Sequence, residues 1–160
     1  MMRCMRPGQR LLAVMVTTTM YGTWLPGDVR GYVDAGRILP GDPTVLRAAV
    51  GRMIGRPVYL SHEEQARAFG ALCGACEEFG YALRAVSIES WHAHWLIDAG
   101  YDNVSRMVGR LKTRMRQAVG RGRIWTAGFD KRFCFDQDSV QSRQDYIARH
   151  RGHRHLRHPL

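Results

Sequence analysis

Two short stretches carry the side chains best suited to chemistry. In Trp91-His92-Ala93-His94-Trp95-Leu96-Ile97, two histidines alternate with apolar residues. On a β-strand, residues i and i+2 point the same way, so His92 and His94 share one face while Trp91, Ala93, Trp95 and Ile97 take the other. Paired imidazoles can hold one metal ion. The same pattern also describes two polar residues on the wet face of a strand, and for His-x-His alone that plainer reading is the better one. In Gln144-Asp145-Tyr146-Ile147-Ala148-Arg149-His150, a phenol and an imidazole stand four residues apart, which makes them neighbours on a helix. A half-buried tyrosine and a histidine placed favourably near a helix C-terminus also account for that pair. The four side chains together are more specific than either pair. A tyrosine is a poor nucleophile at its usual pKa, but a divalent cation on His92, His94 and His150 polarises and orients a phosphodiester. Attack by Tyr146 then gives a covalent phosphotyrosine.

These residues need elements to bring them together. Leu11 to Thr19 is rich in β-branched residues and reads as a first strand. Residues 22–60 are punctuated by Gly and Pro and read as a long inserted excursion with a short helix at 43–54. Ser61 and Glu64 form a capping box that starts a helix ending near Gly80. Tyr81 to Ser90 and Ala93 to Ala99 read as neighbouring strands. Val104, Met107, Val108, Leu111, Met115, Ala118 and Val119 form the apolar stripe of a further helix. Residues 129–135 alternate as a last strand, and Asp138 or Ser139 caps a final helix running through His150. The order β, excursion, α, β, β, α, β, α predicts an α+β domain over 1–160, with a ferredoxin-like antiparallel sheet and helices packed on it. A His/Arg-rich basic tail occupies 151–160.

The charge is lopsided. The chain of 160 residues carries 24 Lys plus Arg against 14 Asp plus Glu, a net +10, and all but two of the bases are Arg. Residues 1–100 hold 10 bases and 9 acids; residues 101–160 hold 14 bases and 5 acids. One basic half is the electrostatic footprint of a nucleic-acid binder, and planar guanidinium favours phosphate. Arg106, Arg110 and Arg114 line the polar face of the 104–119 helix, with Lys112 on its flank. Four scattered cysteines exclude a disulfide scaffold and point to a reduced, cytoplasmic protein. Cys73 and Cys76 fall on an apolar helix stripe and read as core. Thr17, Thr18, Thr19, Gly22 and Pro26 interrupt the longest uncharged stretch, so no membrane span is expected.

His92-Ala93-His94 followed by Trp95-Leu96-Ile97, Tyr146 with His150 one turn on, and Leu111-Lys112 between them resemble the single-tyrosine HUH transposases. That family includes small insertion-sequence transposases and REP-associated tyrosine transposases. Trp125-Thr126-Ala127-Gly128-Phe129-Asp130-Lys131-Arg132 is similar to the family's lead-in to its last strand. Thr18 to Asp28 is similar to the opening of a REP-associated-like branch. The resemblance implies a DNA-nicking and strand-transferring enzyme acting on single-stranded or hairpin DNA at element or repeat ends. It implies Tyr146 as nucleophile, a 5′-phosphotyrosine intermediate with a free 3′-hydroxyl, Mg²⁺ or Mn²⁺ on His92, His94 and His150, and a homodimer. Arg106, Arg110, Lys112, Arg114 and Arg149 are expected to grip the DNA backbone, and Trp24 and Trp125 to stack on unpaired bases. A non-catalytic nucleic-acid-binding module of the same fold is the alternative. Glu89 and Asp98 are candidate partners for the His pair.

Overall fold

The computed structural model describes residues 10–150 and the backbone of 153–154. In chain order the elements are β1 (Ala13–Thr19), β2 (Tyr32–Asp34), β3 (Arg37–Leu39), α1 (Pro43–Gly51), α2 (His62–Phe79), β4 (Ala82–Ile88), β5 (His92–Asp98), α3 (Val104–Val119), β6 (Asp130–Cys134), α4 (Gln137–Ala148) and β7 (His153–Arg154). The main sheet runs β6-β1-β5-β4-β7, and each neighbouring pair is antiparallel. Leaving aside β7 and the insertion, β1-α2-β4-β5-α3-β6 is the ferredoxin-like order.

The sheet divides the molecule into two unlike cores, and strand alternation does the dividing. Val14, Val16, Val86, Ile88, Ala93, Trp95 and Ile97 point to one face, where Leu72 and Cys76 of α2 and Met107, Leu111 and Met115 of α3 cover them. Ala13, Met15, Ala85 and Leu96 point to the other face, where Val140 and Ile147 of α4 meet them. The helices begin and end where local chemistry dictates. Ser61 and Glu64 form the expected capping box, and Gly80 closes α2 in the left-handed conformation. Asn103 caps α3 through the amides of Ser105 and Arg106.

The final helix differs from expectation at both ends. Asp136, ahead of the anticipated Asp138 or Ser139, is the N-cap and accepts from the Ser139 amide. At the other end α4 stops at Ala148. The chain then tightens by i to i+3 bonds, Arg149 N–H to Tyr146 O at 3.3 Å and His150 N–H to Ile147 O at 3.1 Å.

The 22–60 excursion holds the short helix α1 together with an unanticipated β2–β3 hairpin. It is tied to the sheet by Val58 N–H to Tyr21 O and Leu60 N–H to Ser90 O, each 2.8 Å. Gly27 is required here. Its φ is +87°, and a Cβ would meet Leu46 N at 2.3 Å and Asp42 O at 2.5 Å.

Candidate metal and nucleophile site

β5 places His92 and His94 on the α4 side of the sheet, while Ala93, Trp95 and Ile97 enter the α2–α3 core. Trp91, expected on that same core face, lies just ahead of β5 and is half-buried, with its ring against His92 at 3.8 Å between centroids. α4 lies over the His92–His94 face and brings Tyr146 and His150 to it. The His92–His94, His94–His150 and His92–His150 ring centroids are 4.8, 4.5 and 5.4 Å apart. One nitrogen from each ring lies within 4.8 Å of the others. Tyr146 stands beside them, its ring centroid 5.4 Å from His94 and 4.9 Å from His150, with 41% of its surface exposed.

The surroundings of each imidazole bear on metal binding. Burial pushes His92 down to about 4, with the neighbouring His150 charge adding to it. Burial pushes His94 down to about 3, helped by His92 and His150. Both rings are therefore neutral at pH 7 and keep a lone pair for a cation. His94 Nδ1 is hydrogen-bonded to Thr17 Oγ1 at 2.8 Å, across the β1–β5 ladder where the two residues are register partners. His150 Nδ1 lies 3.0 Å from Tyr146 O. A carbonyl only accepts, so Nδ1 carries the proton and Nε2 is left free as a ligand. His92 Nδ1 is buried without a hydrogen-bond partner.

This donor set fits a divalent cation. Three imidazoles converge, His92 and His94 of them neutral, and His94 and His150 are oriented through their second nitrogen as metal-bound histidines are. The cluster also lies just past the C-terminal end of α4, where the helix dipole favours positive charge. Metal–nitrogen bonds of ~2.0–2.1 Å require the rings to draw together slightly on binding.

The remaining expected site residues are dispersed. Arg149 is exposed, three residues after Tyr146. Trp24 is 38% exposed and lies 5.6 Å from Trp91 between ring centroids. Trp125, the other residue expected to stack on bases, is set deeper. It is buried, with Nε1–H donating to Lys112 O at 2.9 Å, because it bridges to Met20 and closes the end of the core, and its ring is not open to a base. Lys112 donates Nζ–H to Thr126 O at 3.0 Å and Gly128 O at 2.8 Å, so it clasps the segment leading into β6. Arg106, Arg110 and Arg114 belong to α3, whose buried side chains cover the face of the sheet opposite the one that α4 covers. Arg110 and Arg106 pair with Asp102 at 2.8 and 3.5 Å, and Arg114 pairs with Glu78 at 2.7 Å.

Glu89 N–H donates to His92 O at 2.8 Å and so closes the turn into β5. Asp98, at the far end of β5, caps a turn by accepting from Gly100 N–H. Cys73 and Cys76 are free thiols whose pKa values burial raises, Cys76 to about 12, as core packing requires. The tail at 151–160 lies outside the described residues apart from the backbone of β7. Among the described residues no helix is long and apolar enough to cross a membrane.

Sequence reasoning missed Thr17 and Trp91 as neighbours of the His pair. Thr17 was readable as the residue opposite His94 only once the strand register was known. Trp91 adjoins the His pair but leaves the strand alternation.

No family model and no curated protein matches the chain. Among solved structures, one described as a REP-associated tyrosine transposase bound to a REP hairpin matches at a TM-score of 0.56 and 14% identity. The match covers 91% of this chain and 70% of that one. A transposase candidate from Deinococcus radiodurans r1 matches at a TM-score of 0.42 and 15% identity, covering 92% of this chain and 96% of that one, and at that score it carries no weight. Across most of its length, the chain has the fold of the hairpin-bound REP-associated tyrosine transposase.

Proposed function

We propose that this protein cleaves and rejoins single-stranded DNA, with Tyr146 as nucleophile and a divalent cation, Mg²⁺ or Mn²⁺, held by His92, His94 and His150. The observation that carries this reading is the exposed Tyr146 phenol standing beside a cluster of three imidazoles. When bound, the cation neutralises phosphate charge and polarises the phosphorus. The chain does the rest. Thr17 and the Tyr146 carbonyl fix two of the rings, and α4 presents the phenol from the open side of the cluster. Tyr146 Oη attacks phosphorus, a new O–P bond forms to the 5′ phosphate, and the bond to the 3′ oxygen breaks. The phenol proton is lost to solvent and the departing oxygen takes one up, leaving a free 3′-hydroxyl. Attack of a 3′-hydroxyl on the phosphotyrosine reverses these steps and rejoins the strand.

The likeness to a structure solved with a hairpin supports hairpin-bearing DNA as the partner. Arg149 on the rim beside Tyr146 suits the backbone, and Trp24 an unpaired base. The same reading carries a homodimer working in the cytoplasm.

The test is incubation of hairpin and single-stranded oligonucleotides with the protein and Mn²⁺, followed by a denaturing gel. A covalent protein–DNA adduct is expected. Binding without any adduct overturns the nuclease reading and leaves a binding module of the same fold.

A further inference from the structure

We propose that Trp91 and Arg30 are positioning residues for His92, which makes the 22–60 excursion a working part of the metal centre. The inference rests on the site described above.

A metal-ligating histidine is ordinarily held by a partner on its second nitrogen, and loss of that partner weakens metal binding 10–100-fold. His94 has Thr17 and His150 has the Tyr146 carbonyl. His92 has no such partner on its buried Nδ1. Its ring is held by a tilted ring contact instead. The Trp91 ring lies 3.8 Å from it between centroids, with 47° between the planes. Trp91 sits in the short turn between β4 and β5, where a ring held by backbone alone could swing away. It is backed by Trp24 at 5.6 Å and by the Arg30 guanidinium, 4.8 Å from the Trp91 ring centroid and 4.4 Å from that of Trp24.

Arg30 is fixed in turn. Nε and Nη2 donate to the two carboxylate oxygens of Asp28 at 2.8 and 2.7 Å, and Nη2 also donates to Thr23 O at 2.8 Å. Thr23 Oγ1 lies within hydrogen-bond distance of both Met20 O and Trp91 O, at 2.8 and 3.1 Å, and Trp24 Nε1–H donates to Gly31 O at 2.7 Å. A continuous line of contacts thus runs from Asp28 through Arg30, Trp24 and Trp91 to His92. Cation–π contact with a guanidinium that is already paired and half-covered gives the stack rigidity at little desolvation cost.

The experiment uses the full chain, Mn²⁺ titration by calorimetry and the visible spectrum of bound Co²⁺. Trp91→Leu and Arg30→Gln are each expected to weaken Mn²⁺ binding about 10-fold and to alter the Co²⁺ bands. Trp91→Phe, which keeps a ring against His92, is expected to restore most of the affinity. In a His92→Ala background, Trp91→Leu is expected to have no further effect, the signature of action through His92 and not through general folding. Ile38→Thr, on the exposed hairpin face, is the control that leaves binding unchanged, and melting curves confirm that each variant is folded. If Trp91→Leu does not fold, the surface change Arg30→Gln decides. Folded Trp91→Leu and Arg30→Gln proteins that bind Mn²⁺ as the wild type does overturn the proposal alone. A wild-type protein that binds neither ion overturns the metal site and this inference with it.

Discussion

His92 and His94 are buried imidazoles whose pKa values are depressed to about 4 and about 3. The unfolded chain titrates its histidines near 6.5. Between 6.5 and the folded values the unfolded state therefore binds more protons, and stability falls as pH falls. The stability these two residues contribute is fully present above pH ~6.5 and is lost on acidification towards pH 3–4, at ~1.4 kcal/mol per pH unit for each residue. Metal-free protein unfolded in urea across this range should show the loss, and His94→Gln should flatten the profile. A profile unchanged by that substitution contradicts the assignment. At Tyr146 the expected change is chemical rather than structural. Tyr146→Phe removes one oxygen from a ring that is 41% exposed, so melting temperature and DNA binding should hold while the covalent adduct disappears. Tyr21 and Tyr81 are engaged elsewhere, by the Ile54 amide and by Asp102, and do not stand near the imidazoles. An undiminished adduct in the Phe variant rules Tyr146 out.

α4 delivers Tyr146, yet it is fastened to the sheet through only two buried side chains, Val140 and Ile147. Ile147→Ala should cost ~2–5 kcal/mol if the site does not collapse around the gap. It should also reduce adduct formation in protein that is still folded, because Tyr146 is the next residue along. Hydrogen exchange of the α4 amides measures the loosening directly. Gly27→Ala acts at the other wall. The new Cβ meets backbone on Leu46 and Asp42, and the positive φ adds strain. The excursion should then detach near Asp28 and Arg30, with weakened Mn²⁺ binding if it supports His92. The elements bearing the chemistry were legible in the sequence because each carried its own signal: β-branched runs, the Ser61–Glu64 box, the 104–119 stripe, and the i, i+2 and i, i+4 spacings of His92–His94 and Tyr146–His150. The excursion and its short helix α1 were legible too, but the β2–β3 hairpin and the ring contacts inside it were not. Strands of three residues, such as β2 and β3, are too short for alternation to register, and the Arg30–Trp91 stack depends on distant segments meeting. The α4 N-cap was misplaced because Asp136, Asp138 and Ser139 are all good caps and only the chain's entry angle selects among them.

The net charge of +10 misleads if it is read as one uniform basic surface. The sheet separates a face carrying the His–Tyr cluster from a face carrying α2 and α3. On the second face Arg106, Arg110 and Arg114 already have carboxylate neighbours in Asp102 and Glu78. Such half-exposed pairs contribute little stability, but a phosphate arriving there must displace the carboxylate or share its cation. Arg149 has a different setting, on the exposed end of the helix that presents Tyr146. A single strand too short to pass round the sheet edge should therefore lose one phosphate contact with Arg149→Ala and none with Arg114→Ala. Each contact to a single strand contributes ~0.7 to the slope of log K against log salt concentration. Fluorescence anisotropy of a labelled short oligonucleotide, titrated at several salt concentrations, should give a slope smaller by ~0.7 for Arg149→Ala and an unchanged one for Arg114→Ala. The opposite pattern would move the nucleic-acid path to the α3 face and separate it from the nucleophile. A smaller slope in both variants would mean that even a short strand spans both faces, and that the basic half of the sequence acts as one surface after all.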